Sequence, residues 1–435
     1  MALGGGSFTT QNKVLPGAYI NFVSAVSANA TLSDRGIATM PLELDWGPEN
    51  EVFTVTGEDF KKKTEEIFGY SYNSEKLKGL RDLFRNARIL YAYRINSGGA
   101  KAANEYATAK YSGVRGNDLK IVIQESADND MMFDVSTYLE TTRIDLQTVQ
   151  SATELADNAF VTFKTDSELI ITAAAPLTGG TNGVINGTAY QMYADCIESY
   201  TYNTMGIVTT DEKVKKLFIA FNKRLRDELG IKFQLVIHKE PADYMGVINI
   251  KNKVTDVDCS EASLVYWVTG IECGCPVNKS CQNKQYDGEF SIDTKLTQTD
   301  LVNAIKNGEF VLHNVNSDVR VLSDINSMVT TTETCGDVFK DNQTIRVIDQ
   351  LANDDAVLFN TKYLGAVPND ESGRISLWSD LVKIRTELQE IGAIENFSDS
   401  DVTIEQGESK KAVVVTSAVE IVNAMDKFYM TVTVA

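Results

Sequence analysis

Along this chain the apolar positions switch between two periodicities, and the switches mark out its segments. Leu77, Leu80, Leu83 and Phe84 recur at three- and four-residue spacing after Asn73-Ser74, which predicts a helix. Just before them, Thr56 with Asp59 three residues on reads as a helix cap, for a helix over 60–68 that stops at Gly69. Residues 89–95 form a nearly unbroken apolar and aromatic run, the pattern of a buried strand. From 98 to 176 the period shortens to two. Alternating stretches at 119–123 and 133–135, with an apolar triplet at 169–171, are separated by turn formers at 113–118 and 128–130, so this stretch predicts an all-β insert, preferably a sandwich.

The glycine-rich stretch 177–183 reads as a linker, after which helical spacing returns. Helices are expected over 188–201, from Asp211 to a stop at Gly230, near 261–270 and near 299–307, with strands at 231–237 and 310–312 between and after them. Strands alternating with helices argue for a wound sheet. A long helix over 344–360, a breaker at 365–370 and a helix over 377–389 come next, the last with Leu377, Leu381, Ile384 and Leu388 on one stripe. Strands close the pattern at 402–405 and 412–417.

Both ends of the chain also read as strands. Tyr19, Ile20, Phe22 and Val23 follow Pro16 and a polar, glycine-rich lead. At the other end Phe428, Met430, Val432 and Val434 face one way while Tyr429, Thr431 and Thr433 face the other. The first of these either joins a sheet of its own domain or reaches a neighbour. An unpaired strand is a liability, because its free N–H and C=O groups template pairing with other chains. Placing one at each end, behind the spacers 4–12 and 420–427, suits donation of strands to neighbouring molecules.

Composition narrows the function. The chain has 435 residues, 41 basic against 60 acidic, and a net charge of −19. That length suits about two to four domains. With 43% apolar residues and 7 prolines, disorder and collagen-like repeats are excluded. The acidity disfavours direct nucleic-acid binding and attraction to anionic membranes. There is no basic-then-apolar leader at the start and no apolar run of about eighteen residues, so the expected setting is the cytoplasm, with no membrane insertion. Six cysteines are too few for a disulfide scaffold. Cys273, Cys275 and Cys281 cluster, but no second knuckle or nearby histidine completes a zinc site, and they read as ordinary thiols.

Candidate chemistry is sparse. Only His238 and His313 are available, and no Gly-x-Ser-x-Gly elbow accompanies them. His238, beside Lys239 and Glu240, reads as a solvated loop residue, and His313 as a structural one. The glycines at 179–183 lack the Gly-Lys-[Ser/Thr] of a phosphate loop. Acid pairs such as Asp354-Asp355 read as solvated faces. No catalytic residue, cofactor or metal is expected, and the chain reads as a non-enzyme.

The ordered series of local motifs carries a resemblance. It runs from Leu15-Pro16-Gly17-Ala18-Tyr19-Ile20-Asn21-Phe22 through Arg35-Gly36, Trp46-Gly47-Pro48, Tyr111-Ser112-Gly113 and Gly116-Asn117-Asp118-Leu119. It continues through Leu177-Thr178-Gly179-Gly180-Thr181-Asn182-Gly183, Pro276-Val277-Asn278-Lys279 and Tyr286-Asp287-Gly288-Glu289. It ends with Gly373-Arg374-Ile375-Ser376-Leu377-Trp378 and Met425-Asp426-Lys427-Phe428-Tyr429-Met430. Over nearly its whole length the chain resembles the sheath proteins of contractile phage tails and phage-tail-like bacteriocins of Gram-positive hosts. The stretch from Cys273 to Cys281 is a local departure.

The resemblance implies an α/β plus β fold: a subtilisin-like α/β domain without protease activity, a β-sandwich insert, a C-terminal α+β domain and extended terminal β arms. Mapped here, these become an N-terminal arm (1–23), the first part of the core (24–97), the insert (98–176), the rest of the α/β domain (177–340), the C-terminal domain (341–418) and a linker with the C-terminal arm (419–435). It further implies a homopolymer around an inner tail tube, metastable when extended, that contracts to drive the tube through a cell envelope. The implied partners are identical subunits, the tube protein, and baseplate and terminator proteins. Assembly would occur in the bacterial host cytoplasm, the product being part of a phage tail or a released bacteriocin particle. The arms would carry Tyr19, Ile20, Phe22 and Val23 at one end and Phe428, Tyr429, Met430, Val432 and Val434 at the other. Val402, Ile404, Val413 and Val415 would lie on the acceptor strands. The helix over 374–389 would line the bore, with Arg374, Lys383 and Arg385 as tube contacts. The competing readings are a cytosolic subtilisin-like hydrolase and a soluble binding module.

Overall fold

The structure, a computed structural model, describes residues 32–127, 129 and 131–434. The expected N-terminal arm, with Tyr19, Ile20, Phe22 and Val23, lies outside the described residues. The described residues form two compact units, 34–350 with 421–434 and 351–420 with 32 and 33.

The larger unit is built on a seven-stranded sheet. Its order is Glu309–Phe310, Val247–Ile250, Gln234–His238, Thr204–Gly206, Ile37–Leu42, Ile89–Arg94 and Val52–Thr56. Every pairing is parallel except the last, where Val52–Thr56 returns antiparallel along Ile89–Arg94. Parallel neighbours need long crossovers, so helices cover both faces and both faces are apolar. Met40, Leu90, Val236 and Ile248 meet helices Lys78–Phe84 and Leu264–Gly274 through Leu80, Leu83, Trp267 and Val268. Tyr93, Met205, Leu235 and Ile237 meet helices Gly187–Ile197 and Glu212–Asp227 through Tyr193, Ile197, Phe218 and Phe221. Leu235 and Ile237 go to one side and Val236 to the other, the two-residue period of a strand buried on both faces.

Local chemistry sets the ends of these helices. The Thr56 hydroxyl accepts from the Asp59 N–H at 3.1 Å, and Asp211 accepts from the Lys213 N–H at 2.8 Å. Thr297 and Asp300 form a reciprocal capping box for Gln298–Lys306. The expected helix over 60–68 is two short helices, Gly57–Lys62 and Thr64–Phe68, and the second ends on left-handed Gly69.

The insert is antiparallel throughout. Thr142–Val149, Phe133–Leu139, Leu119–Glu125 and Thr172–Pro176 form one sheet in that order, and Ala107–Ala109 pairs with Val161–Phe163 in another. Ile121, Ile123, Val135, Phe160 and Val161 share one core with Trp46, which arrives from the chain before the insert. The triplet 169–171 is no strand. Pairing starts at Thr172 and leaves Ile170 and Ile171 exposed.

The stretch 177–183, expected as a linker, is pinned. Ala103 and Thr178 exchange backbone hydrogen bonds at 2.9 and 3.1 Å, and the Gly183 N–H donates to the Asn96 carbonyl at 3.0 Å. A Cβ on Gly99 would lie 1.8 Å from the Thr181 carbonyl oxygen, and one on Gly183 would lie 1.8 Å from that of Ser97. Only glycine allows the entering and leaving segments to lie this close.

In the smaller unit, residues 351–358 of helix Asn342–Leu358 and helix Glu371–Glu390 pack around Leu358, Tyr363, Leu377, Leu381, Ile384 and Val402. Strands Val402–Gln406 and Val413–Ser417 form an antiparallel hairpin.

Phe218 is fully buried among Tyr190, Tyr193 and Phe221. Phe218→Ala is expected to destabilise the larger unit by about 3–5 kcal/mol, read as a lower denaturant midpoint.

Candidate assembly interface

The C-terminal segment is anchored and then let go. The Gln343 side-chain amide donates to the Val422 carbonyl at 3.0 Å and accepts from the Ala424 N–H at 3.0 Å. Asn423 bonds the Thr344 hydroxyl at 3.1 Å. The Gln282 side-chain amide also donates to Asp426 at 2.5 Å, and beyond that contact the segment is exposed. Phe428, Tyr429 and Val434 are 85%, 88% and 90% exposed, with Met430 and Val432 close behind, and residues 428–434 pair with no strand among the described residues. Five large apolar side chains in seven residues thus face solvent, a state that burial elsewhere would relieve at roughly 1.5–3 kcal/mol per side chain.

The expected acceptor strands form a two-stranded sheet in which Val402 pairs with Ser417, Ile404 with Val415 and Gln406 with Val413. Val402 is buried, and its carbonyl accepts from the Trp378 indole N–H at 2.9 Å. Ile404 and Val413 are half-buried against the core, while Val414 and Val415 are exposed. Among the described residues each strand pairs only with the other, so the outer edge of each is unpaired.

The expected tube-contact residues separate. Lys383 is exposed and sits 3.9 Å from Glu387. Arg374 is half-buried, bonding the Asn369 carbonyl at 3.3 Å and its side-chain oxygen at 3.1 Å. Arg385 is 1% exposed and grips Asp355 in two hydrogen bonds of 2.7 and 2.6 Å. It stands one helical turn after Leu381 and so shares the apolar stripe, and the core claims it before any partner could. Its assignment as a tube contact is therefore corrected. Asp355, expected on a solvated face, is its counter-charge.

His238 also needs correction. It ends strand Gln234–His238 at 1% exposure, and its Nε2 has no hydrogen-bond partner among the described residues. Burial, with Lys239 beside it, lowers its pKa to about 4. A depressed histidine binds fewer protons folded than unfolded, so its share of stability is present above about 6.5 and lost as pH falls toward 4.

Sequence reading missed the polar groups at the centre of the larger unit. Arg346 is fully buried, its Nη2 lying 2.6 Å from Glu272 and 3.3 Å from Asp324, while its Nη1 donates to the Lys279 carbonyl at 2.7 Å. Burial, reinforced by Asp324, pushes the Glu272 carboxyl up. Against burial, Arg346 holds Asp324 below the usual carboxylate range. Nearby, Arg226 grips Asp349 at 2.6 and 2.7 Å. The one signal available was charge at three-residue spacing, Arg346 and Asp349, inside an apolar helical pattern.

Two measurements check these placements. Arg385→Glu should destabilise the smaller unit by about 3–5 kcal/mol, whereas Lys383→Glu should stay within about 0.5 kcal/mol of wild type, both by denaturant melts. His238→Gln should flatten the loss of stability between pH 6.5 and 4 by roughly 2–3 kcal/mol relative to wild type.

Comparison with known proteins places this architecture. Residues 35–95 match the tail sheath protein Gp18 domain III N-terminal region, and 97–182 the phage tail sheath protein beta-sandwich domain. Residues 183–327 match the phage tail sheath protein central domain, and 334–435 the phage tail sheath C-terminal domain. The Phage-like element PBSX protein XkdK of Bacillus subtilis is 31% identical, over 99% of this chain and 100% of its own. The sheath tail protein from Desulfitobacterium hafniense is 34% identical with a TM-score of 0.82, over 95% of this chain and 99% of its own. The helical sheath of the anti-feeding prophage in its contracted state shares the fold alone, at 12% identity and a TM-score of 0.57, over 97% of this chain and 99% of its own. With sheath-domain matches in sequence along nearly its whole length, and a relative above 30% identity end to end, the chain belongs to the phage tail sheath protein family.

Proposed function

We propose that this chain is the structural subunit of a contractile tail sheath, a homopolymer around an inner tail tube whose neighbours are joined by exchange of terminal strands. The observation that carries the reading is the C-terminal segment, anchored through Ala424 and then exposed with its apolar side chains outward. A hairpin with two unpaired edges is the matching receptor type. Each backbone hydrogen bond added to such an edge contributes about 0.5–1.5 kcal/mol, so a six-residue strand contributes several kcal/mol before the cost of ordering it. The N-terminal segment with Tyr19, Ile20, Phe22 and Val23 is the second donor on this reading. Val402, Ile404, Val413 and Val415 belong to the receiving sheet.

Contraction then needs no bound fuel. The subunits assemble in the host cytoplasm in an extended, metastable array and re-pack at a signal from the baseplate, while the strand links keep them connected. The tube, terminator and baseplate proteins are the other partners. The larger unit acts as a rigid body with a subtilisin-like topology and no protease role. On the tube-facing side, Lys383 and Arg374 remain candidates, and Arg385 does not. Kinship with sheath proteins, one with a fold seen in a contracted sheath, supports this reading.

Removal of residues 428–435 tests it. Because residues 428–434 are solvent-exposed, the truncated chain should melt like wild type yet form no striated tubes in negative stain. Removal of residues 1–23 should have the same outcome. Normal contractile sheaths from either truncation would sink the strand-exchange reading.

A further inference from the structure

A cavity of about 770 Å³ in the larger unit plays no part in the sheath reading. It lies at the carboxyl ends of strands Ile37–Leu42 and Thr204–Gly206, bordered by Glu43, Leu44 and Val208. The chain leaves the first strand toward Ile89–Arg94 on one side, and the second toward Gln234–His238 on the other. Connections that part in opposite directions leave a crevice between them, the place where open parallel sheets hold ligands. The volume falls within the roughly 300–1,000 Å³ of small-molecule sites.

Part of the lining is apolar, from Leu42, Leu44, Val208 and Phe290. The rest includes four carboxylates, Glu43, Glu75, Asp256 and Asp258, against two ammonium groups that are already engaged. Lys78 lies 3.2 Å from Asp256, and Lys76 lies 3.4 Å from Asp45. Glu43, Glu75 and Asp258 are exposed and make no ion pair among the described residues. Burial pushes the Cys259 thiol in the cavity wall up, and Asp256, Asp258 and Glu75 add to that rise.

An anion is disfavoured by the donors as well as by the charge. The turns that border the cavity spend their N–H groups internally. Lys76 N–H donates to the Ser74 hydroxyl at 3.4 Å, Ala262 N–H to the Ser260 hydroxyl at 3.2 Å, and Ser263 N–H to the Ser260 carbonyl at 3.0 Å. Ser263 is 5% exposed and lines the cavity. It precedes helix Leu264–Gly274 without capping it, and its hydroxyl is unbonded among the described residues. A single metal ion fits no better, because among the described residues no three of these carboxylates bring an oxygen within reach of one ion. Acceptors spread around an apolar lining match ammonium groups spaced along a hydrocarbon chain.

We propose that this cavity binds a linear aliphatic polyamine. Its methylene chain rests on Leu42, Leu44, Val208 and Phe290, and its ammonium groups donate to Glu43, Glu75 and Asp258, with the Ser263 hydroxyl as a further acceptor. The site lies wholly within the larger unit and does not depend on the sheath reading.

Spermidine is the probe, titrated calorimetrically into the full-length chain at about 0.15 M ionic strength, where diffuse attraction to the net charge is screened. Saturable binding of one spermidine per chain is expected. The triple variant Glu43→Gln, Glu75→Gln, Asp258→Asn should weaken it by about tenfold or more. A control triple, Asp166→Asn, Glu168→Gln, Glu390→Gln, removes the same charge from exposed positions elsewhere and should leave the affinity within about twofold of wild type. Equal weakening by both triples would reduce the binding to attraction by net charge and overturn the proposal. Binding that does not saturate, or displacement of spermidine by an equal concentration of magnesium, would overturn it too. These last two readouts need only the wild-type chain, so the proposal stays exposed even if a variant folds poorly.

Discussion

Two of the guanidinium groups withdrawn from water, those of Arg346 and Arg226, govern the larger unit. A buried charge costs several kcal/mol unless its partners are placed to meet it. Arg346 meets Glu272, Asp324 and a carbonyl, and Arg226 meets Asp349. Arg346 and Asp349 lie three residues apart on one helix, so that helix cannot slide or rotate without stranding a charge. The constraint carries through to the end of the chain. Gln343 and Thr344, less than one turn upstream, hold residues 422–424 and so decide where the exposed C-terminal segment departs. The ionic core is thus as much a positioning device as a source of stability.

Much of the fold was legible in the sequence because parallel strands buried on both faces read as continuous apolar runs, and the helices between them carry strong caps at Thr56, Asp211 and Thr297. Three errors share one cause. His238 looked solvated because Lys239 and Glu240 come next, yet the sheet extends to include it. Arg385 looked available because it is charged, yet its helical phase places it on the apolar stripe beside Leu381 and Leu388. The triplet 169–171 looked like a strand because it is apolar, yet pairing begins one residue later. In each case a local property gave way to a tertiary one, and periodicity carries no information about which partner a buried charge will find.

The C-terminal segment stands out in the sequence for the opposite reason. An alternating apolar segment with no local partner is conspicuous, and residues 428–434 remain exposed once the rest has folded. The net charge of −19 belongs to the same account. On the proposed reading it repeats with each copy of the homopolymer, so any contact between copies must outweigh like-charge repulsion, and strand pairing is less sensitive to salt than surface charge is.

The two-stranded hairpin has a consequence of a different sort. A two-stranded sheet has two sides, so on the proposed reading each subunit can receive two strands, and it has two ends to give. Donors and receptors then balance within the body of an array, and imbalance survives only at its rims. If both arms run the same way along the array, one rim carries vacant edges and the other carries unspent arms. Such a polymer has built-in polarity and chemically distinct ends, and whatever starts or stops its growth can do so by resembling a single missing neighbour.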